Sequence, residues 1–276
     1  MEKIMRRIAI PLLILALLLP TAGMTQESGT APAEHLAKLL SNPVADLVSI
    51  PMQFNWDQGV GDYDATRNTL NIQPVVPFTL NEDWNLIGRW IMPFVSQPSL
   101  GPGLESTFGL SDILFSTFFS PSKSDLIWAV GPAVVLPTTD DPLLGSGKWQ
   151  AGPTAVVLQQ SGPWTYGFLG NHLWSFADAS DQERADVSTT FLQPFLAYST
   201  PKGITFTLNT ESTYNHKAED GEEWTVPINI GVSKVTKFGP FPMSIQAGYA
   251  YYVESPTGGP ESKLRVTFTL ILPRGR

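Results

Sequence analysis

The chain has no cysteine among its 276 residues, carries 17 basic side chains against 25 acidic ones, and contains three histidines. Each shortage excludes something. Without thiols there is no disulfide framework, no thiolate zinc site and no lipid-bearing cysteine behind a leader. A net charge of −8 leaves no basic patch to neutralise phosphates, so nucleic acid is not a partner. His35, His172 and His216 are too scattered to suggest a metal site by spacing, and no metal or cofactor is expected. Beyond the amino terminus, no apolar run nears the roughly 18 residues that suggest a membrane-spanning helix. If this chain crosses a bilayer, it does so as strands.

What is present is apolar and aromatic: 42% hydrophobic and 11% Phe, Trp and Tyr, too much for a disordered chain. At the start, Lys3, Arg6 and Arg7 precede the apolar run from Ile8 to Leu19, and Pro20-Thr21-Ala22-Gly23 follows. This is the layout of a secretory signal peptide over residues 1–23, removed on export. Residues 24–46 form a leader with one short helix. In AEHLAKLL (33–40), Leu36, Leu39 and Leu40 share a stripe and Pro43 supplies the stop, making a candidate plug or cap. Residues 47–276 are then the folded body.

The stretch GITFTLNTESTY (203–214) sets the question that the body must answer. Ile204, Phe206 and Leu208 fall on one side of an extended strand; Thr205, Thr207, Asn209, Glu211 and Thr213 fall on the other. In a soluble sandwich the apolar side faces a core. In an outer-membrane barrel it faces lipid, and the polar side faces a lumen. The same parity returns at Met243–Tyr251 and Leu264–Leu272. Strands are expected at 47–56, 69–80, 84–95, 110–119, 126–137, 149–159, 164–176, 188–199, 204–215, 224–236, 243–253 and 264–272. Long polar connections at 57–68, 96–109, 138–148, 177–187, 216–223 and 254–263 alternate with short ones. Tight turns on one rim and external loops on the other produce this alternation in an up-and-down barrel. The expected fold is therefore all-β: a transmembrane antiparallel up-and-down β-barrel of about 12 strands, with both termini periplasmic, in a bacterial outer membrane.

Trp84, Trp128, Trp149, Trp164 and Trp224 lie near the first residues of these strands, where an aromatic girdle would meet the headgroups. By parity the lumen-lining candidates are Asn71, Gln73, Arg89, Gln193, Asn209, Glu211, Gln246 and Arg265, with Gln53, Asn55, Asn85 and Asn229 beside them. Arg89, Glu211 and Arg265 stand out, because buried charges need partners and can select solutes. Two features fit less well. Pro74, Pro77, Pro93, Pro132, Pro153, Pro194 and Pro227 fall inside strands and each removes a ladder donor, so bulges or shortened pairings are expected there. The chain also ends on Leu-Pro-Arg-Gly-Arg rather than on an aromatic residue.

The blocks NIQPVVPF (71–78), NEDWNLIGRWIMPF (81–94), LIWAVGP (126–132), LGSGKWQAGPTAVVL (144–158), GPWTYG (162–167), FLQPF (191–195) and EWTVPINIGVSK (223–234) carry a family likeness. The sequence resembles the outer-membrane family called "MetA-pathway of phenol degradation", some of whose members bear the label neuromedin U. The resemblance covers roughly 42–273. It implies an outer-membrane barrel with a role in uptake of hydrophobic or aromatic compounds, and it supplies no catalytic residues.

Other constellations point nowhere sharp. His172 and Ser175 are three residues apart on one strand and face opposite sides, so they make no catalytic pair. Gly145-Ser146-Gly147-Lys148 lacks the earlier glycine and the following hydroxyl of a phosphate loop. Asp140, Asp141 and the run Glu219, Asp220, Glu222, Glu223 suit either solvated loops or Ca²⁺ shared with lipopolysaccharide. Gly131-Pro132 and Gly152-Pro153 mark two similar strands of a hairpin. The expected function is a non-enzymatic channel or transporter for small solutes, with outer-membrane lipid, lipopolysaccharide and the barrel-assembly machinery as partners. The alternatives are a lipase- or protease-type barrel enzyme and a soluble periplasmic sandwich that binds a ligand.

Overall fold

Alternating β-branched or aromatic and small polar residues give fifteen strand segments in the computed structural model, which describes residues 33–139, 141–181, 183–239 and 241–272. The signal segment, Asp140 and the Pro-Arg-Gly-Arg end lie outside the described residues. A helix α1 (Ala33–Leu40) is followed by β1 (Val48–Val60), β2 (Ala65–Ile72), β3 (Val75–Thr79), β4 (Trp84–Gln97), β5 (Thr107–Leu110), β6 (Ile113–Pro121), β7 (Ile127–Leu136) and β8 (Lys148–Ser161). Then come β9 (Trp164–Asp178), β10 (Ser188–Ser199), β11 (Ile204–Thr210), β12 (Ser212–Asn215), β13 (Trp224–Phe238), β14 (Phe241–Glu254) and β15 (Ser262–Leu272). Three pairs are single barrel strands interrupted once: β2 with β3, β5 with β6, and β11 with β12. Every neighbour is antiparallel, and β1 pairs with β15 from Val48↔Leu272 to Gln58↔Ser262. The sheet is a closed barrel of twelve strands.

Prolines explain two of the interruptions. Pro74 cannot donate, so the ladder lapses between Ile72↔Met92 and Val75↔Arg89 without a change of register. Pro227 stands across from Glu211, between the pairs Thr210↔Ile228 and Thr213↔Thr225, and leaves the same gap. Pro132 and Pro153 face each other across β7 and β8, whose own ladder continues, while the flanking ladders lapse beside them, between Ser116↔Ala133 and Phe119↔Val130 and between Ala151↔Trp174 and Thr154↔Asn171. Beside them Gly131 is obligatory, because a Cβ there would lie 2.0 Å from the Thr117 carbonyl oxygen.

Loop lengths follow the expected alternation with one exception. Short turns join β3 to β4, β6 to β7, β8 to β9, β10 to β11 and β13 to β14; long loops join the strands at the other rim, except between β1 and β2. The expected loop at 57–68 is mostly strand, with Asp57↔Arg67 and Gln58↔Thr66 still in register and only 61–64 turning. A bulge at Gly59 (φ 81) and a turn residue Asp64 (φ 52) shape this hairpin. Its polar residues resemble a loop because this hairpin has no apolar outer face. Since the strand number is even, β1 begins and β15 ends at the short-turn rim.

Parity answers the question posed by 203–214. Phe206 and Leu208 are 54% and 46% exposed, whereas Thr205 between strand neighbours is 3% exposed. Ile230 on β13 is 57% exposed and Asn229 beside it 7%. The apolar side is outside and the polar side inside, the reverse of a soluble sandwich. The interior is not uniformly polar, however. Ile87, Phe118, Ala129, Val156, Leu158 and Leu169 form a buried cluster on the inner face of β4 and β6–β9, joined by Val44 from the segment after α1. The polar lining occupies the opposite arc.

A charge on the outer band is the direct test of this assignment. Ile230→Arg is expected to destabilise the membrane-inserted protein by about 2–4 kcal/mol, as for a cation near the midplane. Ile230→Leu should be close to neutral. Guanidinium titration in lipid vesicles measures both.

Candidate functional site: the lumen and its short-turn mouth

The inner face of β1 and β15 carries a chain of polar contacts. Arg265, in register with Asn55, donates from Nε to Asn55 Oδ1 at 2.8 Å. Its Nη1 and Nη2 reach Glu211 Oε1 and Oε2, each at 2.7 Å, a bidentate pair across the barrel interior. Glu211 projects inward at the ladder gap opposite Pro227. Towards the long-loop rim, Asp57 accepts the Tyr252 hydroxyl at 2.9 Å and sits 3.6 Å from Lys263 Nζ and 3.8 Å from Arg67 Nη2. Towards the short-turn rim, Arg89 on β4 donates from Nη2 to Gln73 Oε1 at 3.2 Å. Among the described residues Arg89 forms no ion pair.

Gln73, Arg89, Gln193, Asn209 and Gln246, from five separate segments, line one cavity of ≈ 280 Å³. Asn71, in register with Gln53, shares the inward side but lies outside that cavity, as do Glu211 and Arg265. Parity also placed Thr205 and Thr207 inward; the cavity uses both, together with Phe195 and Ser233. The remaining wall is α1 and the turn after it. Leu36 and Ala37 are buried, Gln160 Nε2 donates to the Lys38 carbonyl at 2.9 Å, and Ala33 packs against Gly203 in a short turn. Gly203 has φ 72, and a Cβ there would come 2.8 Å from Ala33 Cβ. The helix therefore sits in the short-turn mouth.

The five candidate girdle tryptophans divide between two rims, as strand direction requires. Trp84 and Trp128 meet edge to face at 6.0 Å near the short turns, where Trp164 packs on Tyr198 at 4.8 Å. Trp149 and Trp224 begin strands that descend from long loops, and Trp224 packs on Tyr214 at 4.8 Å.

The loops hold themselves together with their own acids. Ser146 donates its N–H and hydroxyl to Asp112, and Lys148 Nζ lies 2.8 Å from Asp178 and 3.3 Å from Asp186, which makes the GSGK segment a strand entry. The Thr107 hydroxyl and the Leu143 N–H hold Asp141 below the usual carboxylate range. Glu222 bridges two loops: the Thr257 hydroxyl donates to it at 2.7 Å and the Thr257 N–H binds its other oxygen, which lowers its pKa. Among the described residues no group of three potential metal ligands occurs.

One cluster lies on the outer face. His172 Nδ1 is 2.7 Å from Thr190 Oγ1 and its Nε2 is 3.3 Å from Ser188 Oγ; Thr190 Oγ1 also meets His216 Nε2 at 2.9 Å. Ser175 faces elsewhere, accepting the Val187 N–H.

No family model matches the chain, and no curated relative matches it. Its fold is similar to solved outer-membrane proteins. A crystal structure of an outer membrane channel from Pseudomonas putida F1 superposes with a TM-score of 0.64 at 16% identity, covering 84% of this chain and 97% of that one. The NanC porin superposes at 0.51 with 10% identity, covering 82% and 100%. The fold is that of a bacterial outer-membrane β-barrel.

Removing one member of the lumen pair isolates the other. Arg265→Met should cost about 3 kcal/mol, near the lower end for a buried pair because both partners keep some water. Arg265→Met with Glu211→Leu should recover much of that loss in the same unfolding titration. At the loops, the depressed Glu222 pKa has a definite sign. Its contribution is complete above the ordinary glutamate value and is lost as pH falls through the lower folded value. Amide exchange at 255–261 should accelerate over that acidic window in the wild type and show no such step in Glu222→Gln.

Proposed function

We propose that the chain is a passive channel of the bacterial outer membrane that passes small solutes, with its short-turn rim and both termini on the periplasmic side. The observation that carries this reading is the reversed parity of a closed wall, apolar outside and polar over one interior arc, with a cavity inside. The likeness to a solved outer-membrane channel supports it. The resemblance to the phenol-degradation family, together with the apolar interior arc, favours hydrophobic or aromatic cargo. On this reading α1 is a cap over the periplasmic mouth, the two tryptophan belts meet lipid headgroups, and the long loops face lipopolysaccharide. A signal peptide over 1–23 and the barrel-assembly machinery would deliver it.

Reconstitution into planar bilayers should give discrete conductance steps, and deletion of 33–46 should enlarge them. Bilayers that stay silent with both proteins would remove the channel reading.

A second reading, an outer-membrane esterase, rests on the pairing of Ser188 and His172 from neighbouring strands on one face. A base within reach of a hydroxyl is the minimum that acyl transfer needs. The base is oriented by a threonine hydroxyl rather than a carboxylate, which stabilises an imidazolium poorly. Chromogenic esters should be turned over and Ser188→Ala should abolish the turnover if this reading holds; wild-type inactivity rejects it.

A further inference from the structure

We infer that the cavity beneath α1 is a binding site for a small organic carboxylate with an apolar body, held by Arg89. This deepens the channel reading above by naming a solute class, and it rests on that reading only for what happens after binding. Arg89 is the single charged side chain among the cavity's lining residues. Among the described residues its one hydrogen bond is Nη2 to Gln73 Oε1, which leaves most of the guanidinium fork unused. Glu211, the interior acid that could neutralise it, is already engaged on both oxygens by Arg265. Glu211 therefore acts on Arg89 only from a distance, as a counter-charge shared with Arg265, and an anion that fills the cavity gains a direct contact that the protein does not make. Guanidinium geometry favours a planar carboxylate, which can take two parallel N–H donors.

The rest of the lining sets the body of the ligand. The Gln73 side-chain nitrogen, Gln193 and the Thr207 hydroxyl offer neutral donors, while Phe195 and Val75 supply apolar wall. At ≈ 280 Å³ the cavity is just under the usual ligand range of about 300–1,000 Å³, which limits the guest to one ring or a short chain. Along the inner wall between the long loops and the cavity, Arg67, Lys263 and Arg265 stand with Asp57 and Glu211, so cationic groups continue inward past the acidic loops.

The full processed chain in detergent, titrated calorimetrically with benzoate, benzyl alcohol and sulfate, tests the site. Benzoate should bind, and benzyl alcohol and sulfate should bind at least roughly tenfold more weakly, since each lacks one half of the recognition. Arg89→Gln should weaken benzoate by roughly ten- to a hundredfold and leave benzyl alcohol unchanged, with Arg89→Lys in between. Heat-dependent gel mobility checks that each variant folds. Should Arg89→Gln not fold, Ser233→Phe, which fills the cavity from β13, must abolish benzoate binding. No benzoate binding by the wild type, equal binding of benzoate and sulfate, or undiminished binding by Arg89→Gln or Ser233→Phe overturns the inference. The channel reading fails separately: a protein that conducts chloride without binding benzoate keeps the channel and loses the site, and one that binds without conducting does the reverse.

Discussion

Hydrocarbon offers no hydrogen bonds, and each unpaired backbone group placed in it costs several kcal/mol. The rest of this structure depends on meeting that demand. A sheet can do so only by pairing its last strand with its first, as β15 does with β1 over almost the whole of their length. Closure removes both edges and leaves side chains as the main difference between the two faces of the wall. The strict alternation of Phe206, Leu208 and Ile230 with Thr205 and Asn229 follows from it.

The ladder fails at a few prolines, and the interior chemistry gathers at two of those failures. Gln73, which immediately precedes Pro74, is the hydrogen-bond partner of Arg89. Glu211, across from Pro227, is the partner of Arg265. In both places the backbone relinquishes a cross-strand bond while the side chain at the gap makes a polar contact with another strand. Neighbouring main-chain bonds limit the loss at the first: Gln73 N–H still donates to the Pro51 carbonyl and Trp90 N–H to that of Pro74. The facing prolines of β7 and β8 have no such polar use and line up with the apolar arc.

The architecture was legible because period-two alternation and loop length are local properties. GITFTLN states its two faces within seven residues, and tryptophans at strand starts state where the rims lie. What resisted has physical causes. The β1–β2 hairpin has no apolar face where it passes beyond the outer band, so Asp57 to Asn68 carries the composition of a loop. On β7 and β8 an apolar inner arc backs an apolar outer band, so AVGPAVV and PTAVVL show no alternation, and the hydrophobic half of the interior stayed hidden. Arg89, Glu211 and Arg265 were recognisable as inward charges. That Glu211 pairs directly with Arg265 and not with Arg89 depends on barrel register, which no short window contains. The α1 helix was visible as a stripe of leucines, but its seat against Gly203 and Gln160 was not.

On the proposed reading of α1 as a cap, the short link between α1 and β1, residues 41–47, fixes how that helix behaves. An independent blocker would need to be present at a concentration comparable to its dissociation constant. A leashed one is confined to a volume set by its tether, at an effective local concentration of order millimolar for a short link. Return to the mouth is then a first-order event, indifferent to how densely the protein populates the membrane, and even feeble contacts suffice to keep the opening occupied most of the time.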